Sequence, residues 1–169
     1  MDSAVWGMIG TLAGAVVGSA ASIFATWRAS AVSYRMHDDK QKQERIERAK
    51  EFQRVTLLDL QESLHDLARM VSKAHEEQDL AFKSSGEWKS DVLSAEVKEL
   101  KRMAFRKVTI LVERVENAQL RSDVKDFKSY VSPQMSIQNQ AEAQKLQHEM
   151  MEIFRPLIEK TGTVLRSYY

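Results

Sequence analysis

Hydrophobic residues are distributed unevenly along the chain, and the first 28 residues differ from all that follow. From residue 4 to residue 27 no side chain is charged. At about 1.5 Å of helical rise per residue this run is about 36 Å long, which is enough to cross a hydrocarbon core of about 30 Å. We therefore predict one transmembrane helix at residues 4–27.

The two ends of this run indicate its boundaries and its orientation. Trp6 and Trp27 lie where indole rings prefer the headgroup region. Arg28 and Arg35 begin a series of basic residues after the run, and no basic residue precedes it. The positive-inside rule then predicts a single-pass protein with its N-terminus outside and its C-terminal part in the cytoplasm. We expect the membrane to be the bacterial inner (plasma) membrane. A cleaved signal peptide is the alternative, but it needs a basic start and a shorter apolar stretch.

Small residues cover about half the circumference of the predicted span. The glycines at positions 10, 14 and 18 are four residues apart and share one face. In lipid, small side chains let helix backbones approach closely, so that dispersion and weak hydrogen bonds hold the helices together. We expect oligomer contacts from Gly7, Gly10, Gly14, Gly18, Ala21 and Ala25, and a weakly polar pore lining from Thr11, Ser19, Ser22 and Thr26.

The width of this small-residue arc favours a ring of subunits. A dimer uses one narrow stripe, whereas a helix in a ring needs two contact flanks and a strip that faces the lumen. An arc about 180° wide provides all three. A dimer, contact with a partner helix, and a plain anchor rich in glycine and alanine are the alternatives.

The rest of the chain shows helical spacing, and no segment alternates like a β-strand. Apolar residues recur at steps of three and four, which predicts helices at 46 to about 80, 93–115, 120–131 and about 139–167, with a turn at 84–86. The fold class is therefore all-α: one N-terminal transmembrane helix followed by an antiparallel cytosolic helical bundle. The predicted inward positions are Leu60, Leu64, Leu67, Val71, Ala74, Leu93, Val97, Leu100, Ala104, Val108, Leu111, Val115, Leu120, Val124, Phe127, Val131, Leu146, Met150, Ile153 and Phe154.

These patterns divide the chain into three parts. Residues 1–28 form the transmembrane helix with a short external N-terminus, 29–45 a polar juxtamembrane stalk, and 46–169 the cytosolic helical bundle. Residues 37–45 contain no apolar side chain and carry both signs of charge, as a solvated helix or a linker does. In the last helix we expect Pro156 to cause a kink and Gly162 to loosen the end.

Composition narrows the classes of partner. With 25 basic and 24 acidic residues, the formal charge of +1 gives no reason to expect nucleic acid. The chain has no cysteine, which excludes disulfides and thiol chemistry. The expected partners are other copies of this chain, the lipid bilayer and a cytosolic protein.

Candidate catalytic and metal-binding residues are few. Glu62 and His65 match half of a di-iron carboxylate site, but the chain has no second copy of the motif, and we expect neither a metal nor a cofactor. Arg69 and His75 match the Arg-x(4–6)-His spacing of HEPN ribonucleases, although Met70 replaces a residue that is usually polar there. We favour a solvated helix face as the explanation of the pair. We therefore expect no enzyme.

Two resemblances extend these predictions. The basic exit from the span, the segment at 115–127 and the ending at 161–169 resemble a broad group of uncharacterised bacterial single-span membrane proteins with a helical cytosolic tail. The span, the bundle and the pair Arg69 and His75 are similar to the HEPN-like membrane accessory protein of RNA-targeting CRISPR systems. The second resemblance implies an oligomeric pore, and with it an effector of antiviral defence.

Three functions therefore remain open at the level of sequence. The first is a homo-oligomer that forms or gates a pore through its span. The second is a membrane-anchored helical docking module that recruits a cytosolic partner. The third is a membrane-tethered ribonuclease that uses Arg69 and His75.

Replacing Gly14 with leucine tests the predicted helix contacts. A leucine side chain would keep the helices apart, so we expect the Gly14→Leu protein to lose its assembly in detergent. The measurement is the mass by light scattering, with the detergent contribution subtracted. An unchanged oligomer mass would contradict the predicted contact.

Overall fold

The computed structural model describes the backbone of residues 2–88, 92–133 and 139–169. It describes side chains from residue 36 onward in these ranges, and at positions 18, 22, 24, 26–28, 30, 33 and 34. None of these residues lies in a β-strand, which confirms the predicted all-α class. The α-helices are α1 (Asp2–Ser85), α2 (Ala95–Val112), α3 (Ala118–Val131) and α4 (Gln140–Arg166).

Helix α1 continues without a break through the segment that the sequence predicts as a stalk. Residues 40–45 of this segment are all Lys, Gln, Glu or Arg, which are favourable in helices. Ion pairs one turn apart join Lys42 to Asp38 at 2.6 Å and Arg48 to Glu44 at 3.4 Å. The helix ends as predicted, at Gly86, whose φ of 72° glycine adopts without strain.

Contacts divide the chain into two units, residues 1–48 and residues 49–169. The first unit is part of α1. Within it the hydroxyl of Thr26 donates a hydrogen bond to the carbonyl of Ser22 at 2.9 Å. The ring centroids of Phe24 and Trp27 are 6.3 Å apart, and the guanidinium of Arg28 lies 5.8 Å from the Phe24 ring.

The predicted transmembrane helix falls mostly on residues whose side chains lie outside the described part of the chain. Among the described residues, no helix has both the length and the apolar character that crossing a membrane requires. The span at residues 4–27 stays a prediction.

The second unit is a helical bundle around one core. The leucines on the inner face of α1 are completely buried, and α2, α3 and α4 each contribute apolar side chains to the same cluster. Burying each leucine contributes about 1.5–3 kcal/mol relative to leaving it exposed. The largest buried side chains are Leu57, Leu60, Leu64, Leu67, Val97, Val108, Leu120, Val124, Phe127 and Met150.

Most predicted inward positions are buried, and two are wrong. Leu100 and Ile153 are each 40% exposed. On α2 the inner face is formed by Val97, Ala104 and Val108, so that Leu100 lies at the edge of that face. On α4, Ile153 lies beside the inner row of buried residues. From Met150 this row continues beyond Pro156, and α4 is continuous through the proline. That inner row is Met150, Phe154, Leu157 and Thr161.

Side-chain hydrogen bonds fix the helix connections. Ser94 caps α2 by accepting a hydrogen bond from the amide of Val97, and Glu77 of α1 accepts bonds from both the amide and the hydroxyl of Ser94 at 2.8 Å. Buried Gln53 donates to the carbonyl of Arg114 and accepts from the amide of Glu116, each at 3.0 Å. The connection between α2 and α3 is thereby tied to α1.

Two leucines of α1 provide a matched test of this packing. Leu64 is completely buried and Leu58 is 49% exposed. We expect Leu64→Ala to lower the free energy of unfolding by about 2–5 kcal/mol, because it leaves a cavity. Leu58→Ala should lower it by less than about 1 kcal/mol. Urea denaturation of the two variants measures both changes, and equal losses would contradict the assigned burial.

Candidate functional site

A groove of about 760 Å³ lies between α1 and α2. Pockets that bind ligands typically have volumes in this range. From α1 the groove is lined by Ser63, Asp66, Arg69, Met70 and Lys73. From α2 it is lined by Leu100, Met103, Ala104, Arg106, Lys107 and Ile110.

Ion pairs join the two antiparallel helices that line the groove. Lys73 of α1 contacts Glu96 of α2 at 2.6 Å, and Lys107 of α2 contacts Glu62 of α1 at 3.5 Å. Ala104 lies between these pairs and has too short a side chain to fill the space above it. The floor of the groove therefore stays open along about two turns of each helix.

The α2 side of the groove exposes large apolar side chains. Leu100 is 40%, Met103 57% and Ile110 45% exposed. Met103 and Ile110 are seven residues apart, so they lie on one face two turns from each other. Clustered exposed apolar side chains that are surrounded by polar ones mark interaction surfaces. The groove is thus suited to bind an apolar surface of another molecule.

Basic side chains surround this apolar surface. Arg69 and Asp66 approach to 3.5 Å, and the Arg69 side chain remains 79% exposed. Arg106 is exposed and has no ion pair with any described residue. The rim therefore has cationic groups that remain accessible to a ligand.

The side chains of the predicted pair Arg69 and His75 lie in different surroundings. Six residues of helix separate the two side chains by about 9 Å along the axis and point them about 120° apart. Arg69 lines the groove, whereas the ring of His75 lies 5.4 Å from the ring of Trp88. Burial lowers the pKa of His75 below its ordinary 6.5, and the nearby carboxylate of Asp79 acts in the opposite direction. The guanidinium of Arg69 and the imidazole of His75 are therefore not brought together.

The residues of the predicted metal half-site are engaged elsewhere. Glu62 pairs with Lys107, and the ring of His65 lies edge-on to the ring of Phe154 at 5.1 Å. In the part of the chain that the structure describes, no three His, Asp or Glu side chains are grouped so that they could hold a metal ion.

The predicted span residues are described only in part. Ser22, Thr26, Trp27 and Arg28 are exposed, as is Gly18, where an added Cβ would meet no atom within 4 Å. The other residues with a predicted role in or next to the span have side chains outside the described part of the chain: Trp6, Gly7, Gly10, Thr11, Gly14, Ser19, Ala21, Ala25 and Arg35.

The sequence prediction missed the groove, although α2 contains a signal for it. Apolar residues of α2 cover more than half of the helix circumference, which is more than one inner face can bury. Met103 and Ile110 form the excess side of that arc. Which flank stays uncovered depends on how α1 and α2 align, and spacing along one helix does not contain that information.

Comparison with known proteins adds no family to these observations. The chain matches no protein-family model, no curated protein and no solved structure.

The contact between His75 and Trp88 predicts the pH behaviour of this histidine. Burial disfavours the imidazolium form of His75, so this residue contributes to folding stability above pH 6.5. That contribution is lost as the pH falls from 6.5 through the lowered pKa that His75 has in the folded protein. NMR titration of the imidazole measures this pKa. We expect Trp88→Ala to raise the pKa by reducing burial, and Asp79→Asn to lower it further. A pKa of 6.5 or higher in the unmodified protein would contradict the assigned environment.

Proposed function

We propose that this protein is a membrane-anchored docking module. Its N-terminal span holds it in the bacterial plasma membrane, with the N-terminus outside, and its helical bundle recruits a protein on the cytoplasmic side. The observation that carries the proposal is the groove between α1 and α2, where Met103 and Ile110 are exposed beside an open floor.

The packing of the bundle supports a binding role for the groove. The leucines of the α1 core are buried completely, so the fold does not need Met103 or Ile110 to complete that core. Leaving two large apolar side chains in water carries a cost that binding a partner would remove. Partner helices commonly dock in apolar grooves of this kind.

The sequence supports membrane anchoring. Residues 4–27 carry no charge, and basic residues follow them from Arg28 onward. Trp27 is 67% exposed and lies beside Phe24, an arrangement that suits an aromatic belt at the membrane surface. Anchoring would raise the local concentration of a docked partner at the membrane.

A homo-oligomeric pore or gate that acts as an effector of bacterial defence is the second candidate function. It is favoured by the ladder of Gly10, Gly14 and Gly18, which suits close contact between parallel helices. At Gly18 the helix surface is open, with room for a neighbouring backbone. Conductance in planar bilayers separates the two functions, because a pore conducts ions and a docking module does not.

Site-specific photo-cross-linking tests the docking module. A photoreactive amino acid in place of Met103 should give a discrete cross-linked band in cells that produce the full-length protein. The band should stay in the membrane fraction after alkaline extraction. Met151 is the matched control, because it is 48% exposed on α4 and lies outside the groove. Equal cross-linking from both positions, or none from Met103, would contradict the proposal.

A further inference from the structure

The charge of the groove differs from that of the chain as a whole. The chain has 25 basic and 24 acidic residues, so its charges nearly balance. The groove has one carboxylate in its lining, that of Asp66, and the carboxylates of Glu62 and Glu96 pair with two of its lysines from outside the lining. Its cationic side chains are Arg69, Lys73, Arg106 and Lys107.

The basic rim can accept further carboxylates. Three of the four rim cations pair with a carboxylate: Lys73 with Glu96 at 2.6 Å, Arg69 with Asp66 at 3.5 Å and Lys107 with Glu62 at 3.5 Å. All six of these side chains are more than 40% exposed. Such exposed pairs contribute little to stability, so that an incoming carboxylate can replace or join them. Arg106 has no ion pair with a described residue. The groove is therefore complementary to an acidic ligand.

The floor of the groove suits apolar side chains of more than one shape. Met70 lies at the bottom and is 4% exposed, while Met103 forms the wall and is 57% exposed. Methionine has a flexible and polarisable side chain that adapts to its neighbours. Ile110 extends the apolar surface to a second helical turn. A ligand with two apolar anchors about 10 Å apart would cover both turns.

The backbone of the groove favours a helical ligand over an extended one. Residues 63–73 and 100–110 lie within α1 and α2, whose backbone groups bond within their own helices. An extended peptide would find no sheet edge to pair with, whereas a helix brings its own backbone hydrogen bonds. A ridge of helix side chains can also reach the buried floor at Met70, which a planar bilayer surface cannot.

We propose that the groove between α1 and α2 binds an acidic amphipathic helix of a partner protein. Apolar anchors at positions i and i+7 of that helix contact Met70, Met103 and Ile110, and carboxylates on its flanks pair with the basic rim. This inference rests on the proposed docking function and specifies the chemistry of the partner.

Two matched peptides test the proposal on the full-length protein in nanodiscs of zwitterionic lipid. Both are amphipathic helices of about 18 residues with the same leucine face; one carries glutamate and the other lysine on the remaining positions. Fluorescence anisotropy measures their affinities. We expect the acidic peptide to bind about tenfold more tightly, and this difference to shrink as salt rises.

Charge reversal on the rim provides the specific test. Arg106→Glu should weaken binding of the acidic peptide about fivefold and strengthen binding of the basic one. Arg155→Glu is the matched control, because Arg155 is exposed on α4 outside the groove, and it should change neither affinity by more than about twofold. Met103→Glu should also weaken binding, whereas Met151→Glu should not.

Three results would overturn the proposal. The first is equal binding of the acidic and basic peptides. The second is an equal effect of Arg106→Glu and Arg155→Glu. The third is displacement of the acidic peptide by phosphatidylglycerol vesicles with the same dependence on Arg106, which would assign the groove to anionic lipid. The docking function is tested separately. It is contradicted if position 103 gives no cross-link in cells. It still holds if position 103 cross-links to a protein while the acidic and basic peptides bind equally well.

Discussion

Burial of the leucine row of α1 is the constraint on which the bundle depends. Leu57, Leu60, Leu64 and Leu67 are completely buried, and no face of a single helix can hide such a row by itself. Helices α2, α3 and α4 supply the covering side chains from one shared cluster. The groove follows from this arrangement, because α2 turns its best-packed face toward the leucines and leaves Met103 and Ile110 on its uncovered flank.

Helical spacing was sufficient to predict the core, because the core depends on which residues share a helix face. Val124 and Phe127 on α3, and Met150 and Phe154 on α4, were predicted from spacing and are buried. The same rule failed for Leu100, which lies at the edge of an apolar arc. The position of that edge depends on contacts between helices, and therefore on the fold rather than on local sequence.

Polar residues were harder to place from the sequence. The charged segment at 37–45 was predicted as a solvated helix or a linker, and it is helical, with an ion pair one turn apart between Lys42 and Asp38. Gln53 and Thr161 are polar residues that occupy buried positions of the apolar rows. Each is satisfied by backbone groups: Gln53 by the connection between α2 and α3, and Thr161 by the carbonyl of Leu157 at 2.8 Å. The partner of Thr161 is local to α4, whereas only the folded arrangement reveals the partners of Gln53.

A partner protein that covers the groove in the cell should protect a thiol placed there from labelling. The chain has no cysteine, so Met103→Cys introduces a single thiol in the groove and Met151→Cys one outside it. Labelling rates with a maleimide are compared between the purified protein and the membranes of its own host. We expect the thiol at position 103 to react readily in the purified protein and slowly in host membranes. The thiol at position 151 should react readily in both samples. Equal reactivity of the thiol at position 103 in the two samples would contradict the docking function.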